Sequence, residues 1–260
     1  MPELPEVETV VQSLAPRLKG RRIVSAEFHS RFVTPGDRRM LAARLAGRTI
    51  ESVHRRGKFI LISLDAGVLS VHLGMTGKLL MDGTPAQHSY GLFVLEEGVL
   101  LYDDPRQFGR IEWGAKRAGR LGPEPLEIGL EEFQARLRGR QARVKALLLN
   151  QTFLAGLGNI YVDEALFAAG IHPLAMASKL SKPRAALLYQ AMRDILTLAI
   201  EHRGSSISDY VDAEGRKGAF QNLHRVYGRE GEPCATCGRP IRKIWVAQRG
   251  THFCPNCQKR

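Results

Sequence analysis

Two residues at the beginning of the chain, Pro2 and Glu3, carry groups that could serve as a nucleophile and a proton carrier. Methionine before proline is normally removed, so we expect Pro2 to have a free secondary amine. A terminal amine titrates about two units below lysine, which makes it nucleophilic near neutral pH. Its attack on a sugar aldehyde carbon would give an iminium ion, a good electron sink, with Glu3 beside it to move protons. The alternative interpretation is a proline at a helix start, where its missing N–H is not needed.

Four cysteines near the end of the chain form two pairs, Cys234-x-x-Cys237 and Cys254-x-x-Cys257. Two such knuckles supply four thiolates for one tetrahedral zinc ion. The alternatives are two disulfides or a redox motif. Disulfides are disfavoured in a chain with no export signal, and a redox CxxC does not need a second pair. Because four thiolates leave no open coordination position, we expect a structural zinc.

The segment between the two cysteine pairs, IRKIWVAQRGTHF, predicts a β-hairpin that turns near Arg249-Gly250. A small hairpin held by zinc can keep the Arg249 guanidinium rigid at its tip. The alternative for any single arginine is a solvated surface cation.

The chain is strongly basic, with a formal net charge of +12 over 260 residues. Residues 216–260 contain ten Lys or Arg and two Glu, which favours a polyanionic partner. This segment has no lysine-rich amphipathic helix of the kind that binds membrane surfaces, so nucleic acid is the better prediction. No run approaches the ~18 apolar residues of a membrane span, and the acidic start is not a signal peptide. We expect a cytoplasmic, nucleoid-associated protein with no membrane partner.

The hydrophobic pattern divides the chain into a β-rich part and a helical part. Apolar residues first recur at helical spacing, which predicts a leading helix, at Leu4, Val7, Val11, Leu14 and Leu18. The period then becomes two, and the runs KFILISL with VLSVHLG, and LFVLEE with VLLYDD, predict two hairpins of a sandwich. After the Gly- and Pro-rich stretch RAGRLGPEPLE the period is helical: over residues 131–150, in NIYVDEALFAA, and between Ser181 and Gly204. Residues 204–230 show no clean period and are predicted as a loop.

Taken together, these features resemble the formamidopyrimidine-DNA glycosylase family, bacterial base-excision repair enzymes that remove oxidised purines such as 8-oxoguanine. The resemblance covers essentially the whole chain. It rests on PELPEVET at the start, RRGKF around Lys58, HLGMTG at 72–77, DPRQFG at 104–109, LGPEPL at 121–126, GLGNIYVDEALF at 156–167, and AQRGTHFCPNCQ in the cysteine segment.

The resemblance implies a two-lobed α+β multidomain protein. Its expected parts are an N-terminal β-sandwich with a leading helix at 1–115, a linker at 116–130, a helix–two-turn–helix domain with the lesion-recognition loop at 131–225, and a C-terminal zinc-finger β-hairpin at 226–260. The expected partner is double-stranded DNA with oxidised bases or abasic sites, held between the lobes. The expected cofactor is one structural zinc ion per monomer. The lesion-recognition loop is expected within residues 205–225.

The resemblance also assigns four catalytic residues. Pro2 would be the nucleophile at C1′ of the damaged nucleotide, and Glu3 the acid/base that assists departure of the base. Such families assign proton donation in β-elimination to the position of Lys58 and in δ-elimination to that of Arg249. Because the arginine pKa lies above about 12, we interpret Arg249, and largely Lys58, as clamps on the phosphates beside the lesion.

Further DNA contacts implied by the resemblance are His72, His88, Arg106, Arg140, Asn159 and the backbone around Tyr161. Asn159 follows a GxG turn at a helix start, where free N–H groups favour anions; a plain N-cap is compatible with that role.

Met75, Arg106 and Phe108 match the family's base-stack wedge, which fills the gap left by a flipped nucleotide. Without the resemblance, Met75 would be interpreted as a core residue and Phe108 as a loop anchor. Gln107 stands where the family motif DPRRFG has a second arginine, which puts one backbone contact or salt bridge in doubt.

Two rival functions remain open at this point. An endonuclease VIII-type enzyme would prefer oxidised pyrimidines, but its chain usually begins PEGPE and lacks the wedge as spaced here. A non-catalytic zinc protein that senses damaged DNA would need the charge, the zinc and the wedge, but not Pro2 and Glu3.

Overall fold

The computed structural model describes residues 1–207 and 209–260; Ser208, inside the predicted lesion-recognition loop, lies outside the described residues. The chain divides into two compact units. Unit 1 contains Met1–Arg120 and His202–Ala219, and unit 2 contains Leu121–Glu201 and Phe220–Arg260.

Unit 1 begins with helix α1 (Leu4–Leu18), as the apolar spacing predicts. Its first turn is held by a capping box, in which the Glu3 backbone N–H donates to Glu6 Oε2 at 2.8 Å and the Glu3 side chain accepts from the Glu6 backbone. Pro5 occupies the first turn, where the helix needs no N–H from it. The helix start is therefore fixed by side chains within the first six residues.

Two four-stranded antiparallel sheets follow, and the predicted sandwich is confirmed. The first sheet has the order β1-β6-β7-β5, with β1 (Ile23–Phe28), β5 (Lys78–Met81), β6 (Ser89–Leu95) and β7 (Val99–Asp103). The second has the order β2-β3-β4-β8, with β2 (Ile50–Arg56), β3 (Phe59–Leu64), β4 (Gly67–His72) and β8 (Arg110–Trp113). Helix α2 (Arg38–Leu45) joins β1 to β2. Both sheets and α1 share one hydrophobic core.

The segment His202–Ala219 belongs to unit 1, although the expected boundaries group it with the helical domain. The reason is its hydrogen bonding to α1: the Ser205 N–H donates to Glu6 Oε1 at 2.7 Å, and the Tyr210 hydroxyl donates to the Glu6 carbonyl at 3.2 Å. Gly204 has a φ of +75°, and a Cβ there would meet Glu6 Oε1 at 2.7 Å. The segment therefore packs closely on the start of α1.

Unit 2 contains helices α3 (Leu130–Leu137), α4 (Val144–Leu148), α5 (Asn159–Ala168) and α6 (Lys182–Glu201). The prediction of one helical stretch over 131–150 is wrong in its middle, because the chain leaves the helix at Arg138 and Gly139 has a φ of +70°. In the part of the chain that the structure describes, no helix is both long and apolar enough to cross a membrane.

The C-terminal hairpin consists of β9 (Arg242–Val246) and β10 (Arg249–Phe253). Arg249 pairs with Val246, so the turn is formed by Ala247 and Gln248, with φ angles of 49° and 59°. The predicted turn at Arg249-Gly250 is therefore two residues too late. A two-residue loop with both residues at positive φ matches the twist of the flanking strands, and it makes Arg249 the first residue of β10.

Candidate functional site

The beginning of α1 gathers the groups expected to carry the chemistry. Pro2 is buried, and Glu3 and Lys58 are only 3% and 6% exposed. Burial lowers the pKa of the Met1 amine, the Glu3 and Glu6 carboxylates raise it, and the Lys58 and Arg106 cations lower it. Each of these charged groups lies near enough to the Met1 amine to act on its pKa. The structure thus brings Pro2, Glu3, Lys58 and Arg106 together at one end of unit 1.

His72, at the end of β4, is held in its neutral form. Burial and the nearby Lys58, Arg117 and Arg110 cations lower its pKa to about 4. Its Nδ1 accepts a hydrogen bond from the Gly74 N–H at 3.1 Å. An imidazole that accepts at Nδ1 carries its proton at Nε2, so at pH 7 His72 can donate to a phosphate only as an uncharged group.

The residues of the expected wedge are exposed. Met75 is 40% exposed and Phe108 52%, and the Arg106 guanidinium carbon lies 4.6 Å from the centre of the Phe108 ring. The alternative interpretation of Met75 as a core residue is therefore wrong, and a half-exposed ring does not favour the interpretation of Phe108 as a loop anchor. Side chains of this size left in water are suited to a contact with another molecule.

Asp104 fixes the two loops that carry this wedge, and sequence reasoning missed it. Its fully buried carboxylate accepts from the Thr76 hydroxyl at 2.5 Å, the Gly109 N–H at 2.8 Å and the Tyr102 hydroxyl at 3.2 Å. Thr76 belongs to the Met75 loop and Gly109 to the Phe108 loop, so one carboxylate holds both. The available signal was an acidic residue between a strand and a proline, a position that favours local capping of backbone N–H groups.

Two other expected DNA contacts are His88 in unit 1 and Arg140 in unit 2. His88 is half-buried; its carbonyl accepts from the Asp104 N–H at 3.0 Å, and its Nδ1 is buried without a hydrogen-bond partner among the described residues. Arg140 is exposed in the connection between α3 and α4.

In unit 2, Asn159 connects α5 to the hairpin. The N-cap of α5 is Gly158, so the interpretation of Asn159 as an N-cap is wrong. Asn159 is the first helical residue, and its Nδ2 donates to the Gly250 carbonyl at 2.8 Å. This contact reaches the residue beside Arg249, which gives Asn159 a positioning role within the chain.

A buried ion pair supports the same hairpin, and it too was missed. Lys145 and Asp163 are almost fully buried, with 2.6 Å between Lys145 Nζ and Asp163 Oδ1. The second oxygen of Asp163 accepts from the His252 N–H of β10 at 2.9 Å. Both residues occur inside helical patterns, where the sequence gives no sign that their charges meet.

Tyr161 is fully buried, with its ring 5.6 Å from that of Phe220. Because the side chain is buried, the expected DNA contact here stays a prediction about the backbone around Tyr161. Glu164, on the same helix, accepts from the backbone N–H groups of Arg225, Val226 and Tyr227 at 2.8–2.9 Å, and burial raises its pKa.

The four cysteine sulfurs all lie within 4.8 Å of one another. Cys234 Sγ and Cys257 Sγ are 3.9 Å apart, and Cys237 Sγ and Cys254 Sγ are 3.5 Å apart. These separations are far from a disulfide bond of about 2.05 Å, and close to the ~3.8 Å edge of a tetrahedron with Zn–S bonds of about 2.3 Å. Hydrogen bonds, first among them that of the Arg239 N–H, lower the pKa of the Cys237 thiol to about 6, whereas burial raises the pKa of the Cys254 and Cys257 thiols. The donor set fits one structural zinc ion.

Three family models match the chain in order. The formamidopyrimidine-DNA glycosylase N-terminal domain matches residues 1–111, the formamidopyrimidine-DNA glycosylase H2TH domain matches residues 121–211, and a zinc finger found in FPG and IleRS matches residues 231–260. Together with the four-thiolate site, these matches define a zinc-finger DNA glycosylase of base excision repair.

Individual relatives agree over the full length. The formamidopyrimidine-DNA glycosylase of Solibacter usitatus is 58% identical over 265 residues and covers 100% of both chains. The crystal structure of MutM (FPG) from Thermus thermophilus superposes with a TM-score of 0.90 at 42% identity, over 99% of this chain and 98% of that one. MutM in complex with DNA containing carbocyclic 8-oxo-G superposes with a TM-score of 0.90 at 38% identity, over 100% of both. The chain belongs to the formamidopyrimidine-DNA glycosylase family, whose members have both glycosylase and AP lyase activity.

Proposed function

We propose that this chain excises oxidised purines, 8-oxoguanine and formamidopyrimidines, from duplex DNA through a covalent intermediate on Pro2. The observation that carries the proposal is the buried cluster at the start of α1: Pro2, Glu3 and Lys58 are buried, and the Lys58 cation is close enough to lower the pKa of the Met1 amine. The MutM relative bound to DNA containing carbocyclic 8-oxo-G supports the choice of substrate. Because the substrate is DNA, we propose that the protein acts at the nucleoid, in the cytoplasm.

The first step is attack of the Pro2 amine on C1′ of the damaged nucleotide. Burial at this end of α1 lowers the pKa of the Met1 amine, although the Glu3 and Glu6 carboxylates raise it. We expect the same burial to leave the Pro2 amine uncharged near neutral pH once Met1 is removed. The C1′–N9 bond breaks, and the electron pair leaves with the base, which takes up a proton. Glu3 supplies the proton transfers of this step, because it is the acid adjacent to the nucleophile.

The second stage is strand cleavage. The sugar ring then opens: the Pro2 nitrogen gives up its proton, the C1′–O4′ bond breaks, O4′ takes up a proton with the help of Glu3, and an iminium forms at C1′. This iminium acidifies the C2′ protons, so loss of one proton expels the 3′ phosphate in β-elimination. A further elimination expels the 5′ phosphate, which leaves a one-nucleotide gap with phosphates at both ends. Lys58 and Arg249 act mainly as cationic clamps on these phosphates, since arginine is too weak an acid to donate a proton.

The damaged base must first leave the helical stack. Flipping a nucleotide costs a few kcal/mol, and Met75, Arg106 and Phe108 offset this cost by filling the gap. His72, His88, Arg140, Asn159 and the backbone around Tyr161 contact the sugar-phosphate backbone. These contacts make affinity depend on salt only where the contacting group is charged.

The test is borohydride reduction of the complex with a duplex that contains 8-oxoguanine, followed by peptide mapping. We expect a stable adduct on the N-terminal peptide. Pro2→Gly should lose lesion excision while DNA binding survives, because its amine is primary and less constrained. An adduct on Lys58 would overturn the assignment of the nucleophile.

A matched variant tests the proton carrier. Glu3→Gln keeps an oxygen that can accept the capping hydrogen bond of α1, and it removes the proton shuttle. Excision should fall by about 10²–10⁴-fold, while cleavage of a ready-made abasic site persists in part. Preference for an oxidised pyrimidine over 8-oxoguanine in the unaltered protein would favour the endonuclease VIII-type rival instead. Absence of any adduct or excision would favour the non-catalytic one.

A further inference from the structure

Two loops of unit 1 each carry an arginine stacked on an exposed phenylalanine. In the wedge loop, Arg106 lies 4.6 Å from the centre of the Phe108 ring. In the loop of residues 30–34, Arg31 lies 5.0 Å from the centre of the Phe32 ring. Phe32 is 54% exposed and Phe108 is 52% exposed. The mechanism uses only the wedge pair, so the Arg31–Phe32 pair has no assigned role.

A side-chain hydrogen bond joins the two loops. The Ser30 hydroxyl, which belongs to a residue only 4% exposed, donates to Gln107 Oε1 at 2.6 Å. The oxygen of this Ser30 hydroxyl accepts from the N–H groups of Phe32 and Val33 at 3.1 and 3.2 Å. We call the Ser30–Gln107 hydrogen bond the clasp. The clasp links the backbone at Phe32 to Gln107, the residue between Arg106 and Phe108.

The chemistry of Gln107 suits the clasp. An arginine at this position, as in the motif DPRRFG, would have only donors and could not accept the Ser30 proton. Gln107 has a φ of +54°, and its carbonyl accepts from Arg110 Nη1 at 3.4 Å. The backbone and the side chain of Gln107 therefore both make hydrogen bonds within the protein. In the neighbouring loop, the cation that faces solvent is Arg31.

We propose that Arg31 and Phe32 form a second contact with the DNA duplex next to the wedge, and that Gln107 is the positioning residue that holds this contact in place. Arg31 would bind a phosphate, and Phe32 would lie against the adjacent sugar. The occupant is duplex DNA because the clasp joins this loop to the wedge and the loop presents a guanidinium to a polyanion. The proposal rests on the proposed function of the wedge.

The test compares Arg31→Ala with Arg39→Ala, which removes the same charge from an exposed position on α2. The probe is a duplex with a stable abasic-site analogue, titrated at several salt concentrations. Arg31→Ala should weaken binding about tenfold and lower the slope of log K against log salt by about 0.9. Arg39→Ala should leave the slope unchanged. Equal slopes for the two variants would overturn the phosphate contact.

Phe32→Ala should weaken binding a few-fold without changing the slope, because it removes no charge. An unchanged affinity would remove Phe32 from the contact.

A double-mutant cycle tests the positioning role. Gln107→Asn tolerates a positive φ but is one methylene too short to reach Ser30. When Arg31 is present, Gln107→Asn should weaken DNA binding in part and should partly lower the slope of log K against log salt. It should lose nothing further in a background with both Arg31→Ala and Phe32→Ala, because it acts only through those two residues. Additive losses would mean that residue 107 contacts DNA itself, which would overturn the positioning role. Equal thermal melting of both variants and the unaltered protein controls for folding.

The two proposals fail separately. If the unaltered protein gives no borohydride adduct but Arg31→Ala lowers the salt slope, the chemistry on Pro2 is wrong and the second contact stands. If the adduct forms on Pro2 but the slope does not change, the second contact is wrong and the chemistry stands.

Discussion

The wedge loops of unit 1 and the hairpin of unit 2 each present an exposed arginine, Arg106 and Arg249, but their supports differ. The wedge loops are held by Asp104, whose partners are two hydroxyls and a backbone N–H. The hairpin is held by Asp163, whose partner is the buried Lys145 cation. Both carboxylates are buried. Asp104 accepts hydrogen bonds only from neutral groups, whereas Asp163 forms an ion pair.

The difference follows from the size of the cores beneath. The wedge loops extend from strands of a core shared by two sheets and a helix. The hairpin stands on a small cluster in which cysteines are prominent: Phe167, Val226, Cys234, Ile241 and Cys254. So small a module cannot bury enough apolar surface to fold by itself. It needs a metal, and Asp163 of the buried ion pair attaches it to α5 through the His252 N–H, whereas hydrogen bonds alone suffice for the wedge loops.

Zinc removal should give the largest effect, because it should disrupt the hairpin and leave the wedge loops unchanged. Zinc binding contributes about 10–16 kcal/mol to the folding of small zinc modules. We expect Cys254→Ser to lose stoichiometric zinc in elemental analysis and to bind duplex DNA at least about 100-fold more weakly, or about 2.7 kcal/mol. The near-UV signal of unit 1 should stay unchanged. Normal DNA binding by a zinc-free variant would refute this dependence.

Asp163→Asn should give the next largest effect. The substitution is nearly isosteric, but it leaves Lys145 buried without its carboxylate, and breaking a buried pair costs about 3–5 kcal/mol. Denaturant unfolding measures this loss. A substitution of both residues, Lys145→Met with Asp163→Asn, should recover much of the stability, since no buried charge remains. A cost below about 1 kcal/mol for Asp163→Asn would mean that the ion pair does not support unit 2.

Asp104→Asn should cost less, about 1–3 kcal/mol. The amide has one acceptor oxygen for three donors, so at least one donor loses its partner. The expected functional result is slower excision of a paired lesion, because both wedge loops become less well positioned. Equal costs for Asp104→Asn and Asp163→Asn would contradict the contrast between the wedge loops and the hairpin.

Phe108→Ala should change stability by less than about 0.5 kcal/mol, because the ring is half exposed. Its effect should fall on base extrusion: excision of a paired 8-oxoguanine should drop about tenfold, while cleavage of an abasic site is nearly unaffected. Comparison of single-turnover rates on the two duplexes measures this ratio. A parallel loss on both would show that Phe108 has a structural role instead.

His72→Ala should give the smallest effect on salt dependence. With a pKa lowered to about 4, His72 is neutral at pH 7 and releases no counterion from a phosphate. Its loss should weaken binding at all salt concentrations equally, whereas Arg249→Ala should lower the slope by about 0.9. A reduced slope for His72→Ala at pH 7 would mean that the bound imidazole is charged.

The sequence predicted most of the fold because each signal was local. The spacing of Leu4, Val7 and Leu14 depends only on helix geometry, and the CxxC pairs depend only on the shape of a knuckle. The break near Gly139 was missed because apolar residues on both sides keep a helical spacing while the backbone leaves the helix.

The missed site residues have partners that are distant in sequence. Asp104 meets Thr76 across two loops, and Lys145 meets Asp163 across two helices. No local sequence pattern indicates such a long-range contact. The position of the hairpin turn was missed for a related reason: Ala247 and Gln248 adopt a positive φ that neither residue type suggests.

The close approach of the two wedge loops also limits how this region can diversify. Gly74 has a φ of +62°, and a Cβ there would lie 2.5 Å from backbone atoms of Phe108 and Gly109. Any larger residue at Gly74 therefore requires a simultaneous change in the other loop. The exposed tips, Met75 and Phe108, carry no such restriction. Evolution, or a protein engineer, can exchange these exposed side chains one at a time, but the backbone beneath them can be redesigned only as a pair of loops.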